Sequence, residues 1–240
     1  MPTKLMPFLG QTLRAAVTRR PYLSATLEQA YTIGVRSLPI LLIMSVFVGT
    51  NLALQGYNAF RPIGGQRLLG MFVALAGVRE LAPLMVAAMV AAKAGTEMAS
   101  QLAVMRIREQ IDAVEVMAVD PYWLLVVPRV LGILMVLPAL TILSVTTLLG
   151  ASYLVAVHQL GESGYDFMRL ATSAIDGTDL IVCGVKGGAF GALIAVVSCY
   201  CGYHSAPGPA GVGRATNAAV VASAVACALL NYLISEAVYG

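Results

Sequence analysis

The chain has 240 residues, of which 59% are apolar and only 11% are charged. Soluble domains carry about 25% charged and about 45–50% apolar residues, so this composition predicts a protein that lies mainly in a membrane. The net charge of +3 is too small for a nucleic-acid-binding surface, and no nucleic-acid partner is expected. The four cysteines form no CxxC pair, and the two histidines, His158 and His204, are too far apart for a metal centre.

The N-terminal segment has the pattern of an amphipathic helix. Leu5, Leu9, Leu13 and Ala16 fall near one helical face, with polar residues elsewhere. This pattern predicts a helix that lies in the membrane interface, and we assign residues 1–30 to that element. A frayed tail fits the same pattern.

Five later stretches are long and apolar enough to cross a bilayer as helices, which needs about 20 residues with few or no charges. The predicted spans cover approximately residues 36–60, 68–93, 122–156, 180–203 and 214–238. We therefore predict an all-α integral membrane protein with one membrane domain over residues 31–240. Lys and Arg are concentrated on the N-terminal side of the membrane, which predicts a cytoplasmic N-terminus and an external C-terminus. The main external loop is expected between His158 and Asp179.

A further amphipathic helix is predicted between the second and third spans, over approximately residues 100–118. Val104, Ile107, Ile111 and Val114 recur there at helical spacing. From this periodicity alone, the segment is equally well a solvated connector or a docking helix for a cytoplasmic partner.

Three charged residues are predicted at membrane depth. Arg79 and Glu80 lie near the middle of the second span, where an uncompensated charge costs roughly 2.5 kcal/mol or more. Two arrangements could compensate the charges of Arg79 and Glu80. One is a structural ion pair, with each other or with Lys186, and the other is a polar cavity lined by these residues. Lys186 lies among closely spaced glycines that favour helix packing, and near the outer end of its span its amine can extend to water.

Several motifs together resemble the MlaE/YrbE family of ABC-transporter permeases. The most specific is the central Glu-Gln-Ile-Asp-Ala run, followed by Asp-Pro and Pro-Arg. The motifs are Arg79-Glu-Leu-Ala-Pro83, Arg108-Glu-Gln-Ile-Asp-Ala-Val-Glu-Val-Met117, Val119-Asp-Pro121, Val127-Pro-Arg129 and Gly211-Val-Gly-Arg-Ala-Thr216.

The resemblance implies a multi-pass, homodimeric permease of the bacterial inner membrane that moves lipids to or from the periplasmic side. It implies a cytoplasmic ABC ATPase, which binds ATP and Mg²⁺, and an MCE-domain protein on the periplasmic side. The chain itself is then not an enzyme and has no cofactor of its own, in keeping with the absence of a GxxxxGK[ST] loop from its sequence.

The resemblance also implies roles for individual residues. The segment over residues 100–118 becomes the coupling helix that docks on the ATPase. Its predicted docking residues are Arg106, Arg108, Glu109, Asp112, Glu115 and Met117. The predicted lipid-binding residues are Arg79, Glu80, Leu52 and Phe60, with Lys186 as a further candidate.

Two other functions remain open at this point. An ion-coupled secondary transporter would use Glu80 as its proton site, and such proteins usually have an inverted repeat, which we do not find. An intramembrane enzyme would need a nucleophile and base, or clustered metal ligands, at one depth, and no such group is evident.

Overall fold

The computed structural model describes residues 2–18 and 22–240 of the chain. Within these residues all regular elements are helical. Five helical segments are long and apolar enough to cross a membrane by length and composition: Leu23–Ile63, Gln66–Ile107, Tyr122–His158, Gly177–Tyr203 and Pro209–Tyr239. The prediction of an all-helical protein with five spans is therefore confirmed.

The α-helices of the described residues are numbered here in chain order. They are α1 (Pro2–Thr18), α2 (Leu23–Phe60), α3 (Leu69–Ala76), α4 (Ala82–Val90), α5 (Thr96–Ile107), α6 (Gln110–Val116), α7 (Val127–His158), α8 (Gly164–Ala174), α9 (Gly177–Tyr203) and α10 (Pro209–Tyr239). Wider π turns at Gly77–Leu81 and Ala91–Gly95 join α3, α4 and α5 into the second span, and another at Tyr122–Val126 precedes α7.

Contacts divide the chain into two compact units. The first comprises Met1–Ser37, Ala87–Leu137 and Gly188–Leu230, and the second comprises Leu38–Val86, Pro138–Gly187 and Asn231–Gly240. The boundaries fall inside the five spanning segments. Two of them lie at or beside Pro39 in α2 and Pro138 in α7, where proline removes a backbone hydrogen bond.

The N-terminal helix α1 buries a different face from the one that its leucines suggested. Phe8, Thr12 and Ala15 are buried, whereas Leu13 is exposed. The side chain of Leu5 lies outside the described residues. The ring of Phe8 packs against the rings of four residues of the same unit: Tyr122, Tyr200, Tyr203 and His204. Since α2 begins at Leu23, the end of the predicted element over residues 1–30 is continuous with the first span.

The segment predicted as the main external loop contains the helix α8. The hydroxyl oxygen of Ser163 caps this helix by accepting from the backbone N–H of Asp166 at 3.3 Å. On the same helix, Phe167 and Ala171 are buried. A Cβ atom on Gly70 of α3 would lie 2.2 Å from the carbonyl oxygen of Phe167, so glycine is required for the close approach of α3 and α8.

The prediction of a single helix over residues 100–118 is wrong, because the helix is interrupted within this segment. Helix α5 ends at Ile107, and α6 begins at Gln110. Between them Glu109 has a φ of 56°, in the left-handed region that a non-glycine residue seldom adopts and that a regular helix cannot contain. The buried Ile111 anchors α6 beyond the break.

Candidate functional site

The second span is irregular where its predicted charges lie. Arg79 and Glu80 belong to the π turn Gly77–Leu81, and such turns inside α-helices occur frequently at functional sites. Pro83, four residues after Arg79, has no N–H to donate to the Arg79 carbonyl. The π turn and this proline therefore leave a backbone acceptor for a side chain from another helix.

Lys186 of α9 uses that acceptor. Its side chain is fully buried, and its Nζ donates to the carbonyl oxygen of Arg79 at 2.7 Å and to Oγ of Ser235 at 2.7 Å. Oε1 of Glu80 lies 3.4 Å from the same nitrogen. The expectation that the amine extends to water is wrong, because these three acceptors match the three donors of the ammonium group inside the protein.

Glu80 is held on both carboxylate oxygens. The hydroxyl of Ser235 donates to Oε1 at 2.5 Å, and Nδ2 of Asn231 donates to Oε2 at 2.6 Å. Asn231 and Ser235 are four residues apart in α10 and so present their side chains on one face. The Glu80 side chain nevertheless remains 43% exposed. Its carboxylate is thus positioned by Lys186, Asn231 and Ser235, while the side chain as a whole stays partly exposed.

Arg79 pairs with Asp179, in the first turn of α9, rather than with Glu80. Its Nε lies 2.9 Å from Oδ1 of Asp179, and its Nη2 donates to Oδ2 at 3.1 Å, a two-point contact. The Tyr239 hydroxyl donates to the same carboxylate at 2.9 Å, and the Tyr239 ring lies 4.3 Å from the guanidinium carbon. Asp179 is buried, whereas the Arg79 side chain is 31% exposed.

We call this group the charge cluster, and all of it belongs to the second unit. Its members are Arg79, Glu80, Asp179, Lys186, Asn231, Ser235 and Tyr239. Two formal positive and two formal negative charges balance, so the cluster does not select a ligand by net charge. Arg79 retains N–H donors beyond those bound to Asp179, and Glu80 offers an exposed acceptor. Such a surface fits a polar group that carries both acceptors and donors.

The two apolar residues predicted to bind lipid, Leu52 and Phe60, lie at different distances from the π turn. Leu52 lies beside the π turn, because a Cβ atom on Gly77 would be 3.9 Å from its Cδ2 atom. Phe60 is eight residues further along α2, about 12 Å along the helix axis, and packs edge-to-face on Phe72 with ring centroids 5.5 Å apart. The structure therefore brings Leu52, but not Phe60, to the start of the turn that carries the cluster.

Four members of the cluster were missed by sequence reasoning. Asn231, Ser235 and Tyr239 recur every four residues in an otherwise apolar span, a polar stripe that the sequence does contain. Asp179 was assigned to the external loop, because only the structure shows that α9 begins at Gly177. Within the described residues, no group of three or more His, Cys, Asp or Glu side chains is placed to hold a metal ion.

The predicted docking residues lie in the first unit and divide into two sets. Arg106 pairs with Asp112 at 2.5 Å, and Glu115 accepts a hydrogen bond from the Tyr203 hydroxyl at 3.2 Å. These three are engaged by the chain itself. The second set is Arg108, Glu109 and Met117. All six side chains are exposed, and that of Met117 is 66% accessible.

Comparison with known proteins gives a consistent result over nearly the whole chain. The family model described as Permease MlaE matches residues 26–237. A probable ABC transporter permease protein of Rickettsia felis is 36% identical over 223 residues, which cover 92% of this chain and 86% of the relative. A similar protein of Rickettsia conorii is 37% identical over the same length and shares of the two chains. An Arabidopsis thaliana protein named trigalactosyldiacylglycerol 1, chloroplastic, is 33% identical over 227 residues, or 95% of this chain and 65% of the relative.

Proposed function

Because the chain belongs to the MlaE family of ABC transporter permeases, we propose that it moves lipids between the bacterial inner membrane and the periplasm as the membrane subunit of an ATP-driven transporter. Two copies form the permease, a cytoplasmic ATPase binds ATP and Mg²⁺, and an MCE-domain protein receives or delivers lipid on the periplasmic side. The relative named for a galactolipid supports a lipid substrate.

The observation that carries the proposal is the charge cluster, which joins the π turn of the second span to the first turns of α9 and the last turns of α10. Charged groups within membrane-spanning helices are costly unless they are paired or serve a polar ligand. Here each charge is paired, yet Arg79 and Glu80 keep part of their surface exposed. A phospholipid or related headgroup meets both needs, since its phosphate accepts from Arg79 and its donors reach Glu80. Leu52 then contacts the first carbons of an acyl chain, and we assign Phe60 a position further along it.

The energy for transport enters through the segment from α5 to α6. The two permease copies form a lipid-binding cavity between them. ATP-driven closure of the ATPase displaces α6, and the spans that continue from this segment then narrow that cavity. The exposed residues Arg108, Glu109 and Met117 form the docking surface. Arg106, Asp112 and Glu115 hold the shape of the segment through their contacts within the chain.

The test is lipid transfer by the purified permease, reconstituted in liposomes with its ATPase and MCE-domain partners. Glu80→Gln and Arg79→Ala are expected to lower ATP-dependent transfer of a fluorescent phospholipid by about tenfold or more, because each removes a charge-assisted contact to the headgroup. Glu236→Gln is the matched control, since Glu236 lies next to Ser235 in the same helix and is exposed.

Two results would contradict the proposal. One is unchanged transfer by well-folded variants of the cluster. The other is transfer that proceeds without the ATPase and is abolished by a protonophore, which would instead support an ion-coupled transporter with Glu80 as its proton site.

A further inference from the structure

A cavity in the same unit is lined by none of the residues of the charge cluster. It has a volume of about 510 Å³, within the range of about 300–1,000 Å³ that is usual for ligand pockets. Its walls come from α7, α8 and the beginning of α9. The lining includes Leu149, Tyr153, Phe167, Met168 and Leu180, and no charged side chain contributes to it.

The two threonine hydroxyls of the lining are hydrogen-bonded within their own helices. The hydroxyl of Thr146 donates to the carbonyl of Leu143 at 2.9 Å, and that of Thr172 donates to the carbonyl of Met168 at 2.8 Å. Each threonine thus satisfies its hydroxyl within its own helix. Gly150 leaves further room, because a Cβ atom built on it has no neighbour within 4 Å. The cavity is suited to a ligand without hydrogen-bonding groups.

The surroundings of the cavity point to lipid as the source of that ligand. Two of its walls are spans, and apolar side chains at or beside the lining are exposed on all three helices: Leu154, Met168 and Ile181. In a bilayer such side chains meet acyl chains. A partner helix is too large, because a helix about 10–12 Å across occupies roughly 400–600 Å³ per turn, and the cavity would hold about one turn.

We propose that this cavity binds one hydrocarbon chain of a bilayer lipid, at a site distinct from the charge cluster. The proposal requires only that the spans lie in a bilayer and is independent of the transport reaction. The bound chain fills the space under α8 and thereby supports the packing of this short helix on the spans.

The experiment uses the full chain in nanodiscs that contain a phosphatidylcholine with a diazirine on one acyl chain. After irradiation, lipid adducts are mapped by mass spectrometry of peptides. Adducts are expected at Met168 and Tyr153 in excess over Leu229 and Leu233, which are exposed apolar residues of α10.

Substitutions that fill the cavity provide the decisive comparison. Gly150→Leu is expected to lower the adduct at Met168 by about tenfold or more, because the new side chain occupies the space of several methylene groups. Gly184→Leu is the matched control, since its Cβ position is also open but it does not line the cavity. Thr172→Phe fills the cavity from α8 and replaces Gly150→Leu if that variant does not fold.

Three results would overturn the proposal. The first is labelling of Met168 equal to that of Leu229 and Leu233. The second is labelling that survives both filling substitutions. The third is efficient disulfide-linked dimerisation of a Met168→Cys variant, which would show that a second copy of the chain covers the cavity.

Discussion

At the scale of single residues, Lys186 shows how a membrane span accommodates a buried charge. Its ammonium group has acceptors from a backbone carbonyl, a hydroxyl and a carboxylate. The carbonyl belongs to Arg79, whose usual helical donor is absent because residue 83 is proline. One proline and one π turn therefore create the place that the lysine occupies.

This arrangement predicts unequal effects of removing the two partners. Glu80→Ala leaves a fully buried ammonium without its carboxylate and is expected to destabilise the fold by about 1–3 kcal/mol, reduced from the cost for a fully buried pair because Glu80 is partly exposed. Lys186→Met is expected to cost less, because it removes the buried charge, keeps a side chain of similar length and leaves Glu80 bound to Ser235 and Asn231.

The measurement is the midpoint temperature of thermal unfolding in detergent, with Glu236→Ala as the exposed control. A larger loss for Lys186→Met than for Glu80→Ala would show that the lysine, rather than the carboxylate, carries most of the stabilisation.

At the scale of elements, the segment between the second and third spans departs most from a regular helix. The left-handed Glu109 separates α5 from α6, and Arg106 pairs with Asp112 across the break. Glu115 is tied to Tyr203, whose ring stacks on Tyr122 and lies 6.0 Å from that of Phe8. The orientation of α6 therefore depends on side chains from several other elements of the first unit.

The contacts of Arg106, Asp112 and Glu115 within the chain predict which other residues of the segment bind the ATPase. Arg108→Glu is expected to reduce the co-purified ATPase by about tenfold or more, because it reverses an exposed charge at the docking surface. Glu115→Gln is expected to retain the ATPase, because its amide oxygen still accepts from Tyr203. The measurement is the ratio of ATPase to permease after affinity purification. Normal recovery with Arg108→Glu, or loss with Glu115→Gln, would reassign the docking surface.

At the scale of the whole molecule, five spans require that the two ends of the membrane domain face opposite sides. The Lys and Arg distribution predicts the orientation, with the α5–α6 segment and the N-terminus both in the cytoplasm. The charge cluster includes Tyr239, so the C-terminal end of α10 is part of the site rather than a free tail.

Reporter fusions test this orientation. Alkaline phosphatase, which needs disulfides and so folds only outside the cytoplasm, is expected to be active after Gly240 and inactive after Val119. A green fluorescent protein moved between the same two positions should give the opposite pattern. Reversal of both patterns would invert the topology and exclude α6 as the docking site of a cytoplasmic ATPase.

Some of this architecture was available from the sequence alone. The five spans follow from hydropathy and the spacing of charges. Both are local properties of the sequence and do not depend on how the helices pack. Arg79 and Glu80 were found in the same way, since a charge inside an apolar run is visible without a fold. The motifs from Arg79 to Thr216 were sufficient to indicate the family.

Only the tertiary structure decided what these charges contact. The carboxylate that pairs with Arg79 is one hundred positions away, and Lys186 and Ser235 reach Glu80 from two further spans. No local pattern encodes such distant pairings, because several arrangements of five apolar helices would satisfy the same hydropathy. The break at Glu109, the helix α8 and the apolar cavity beneath it likewise depend on packing between elements. The sequence thus determined which segments enter the membrane and which charges enter with them, while the packing of the helices determined the partners that make this placement stable.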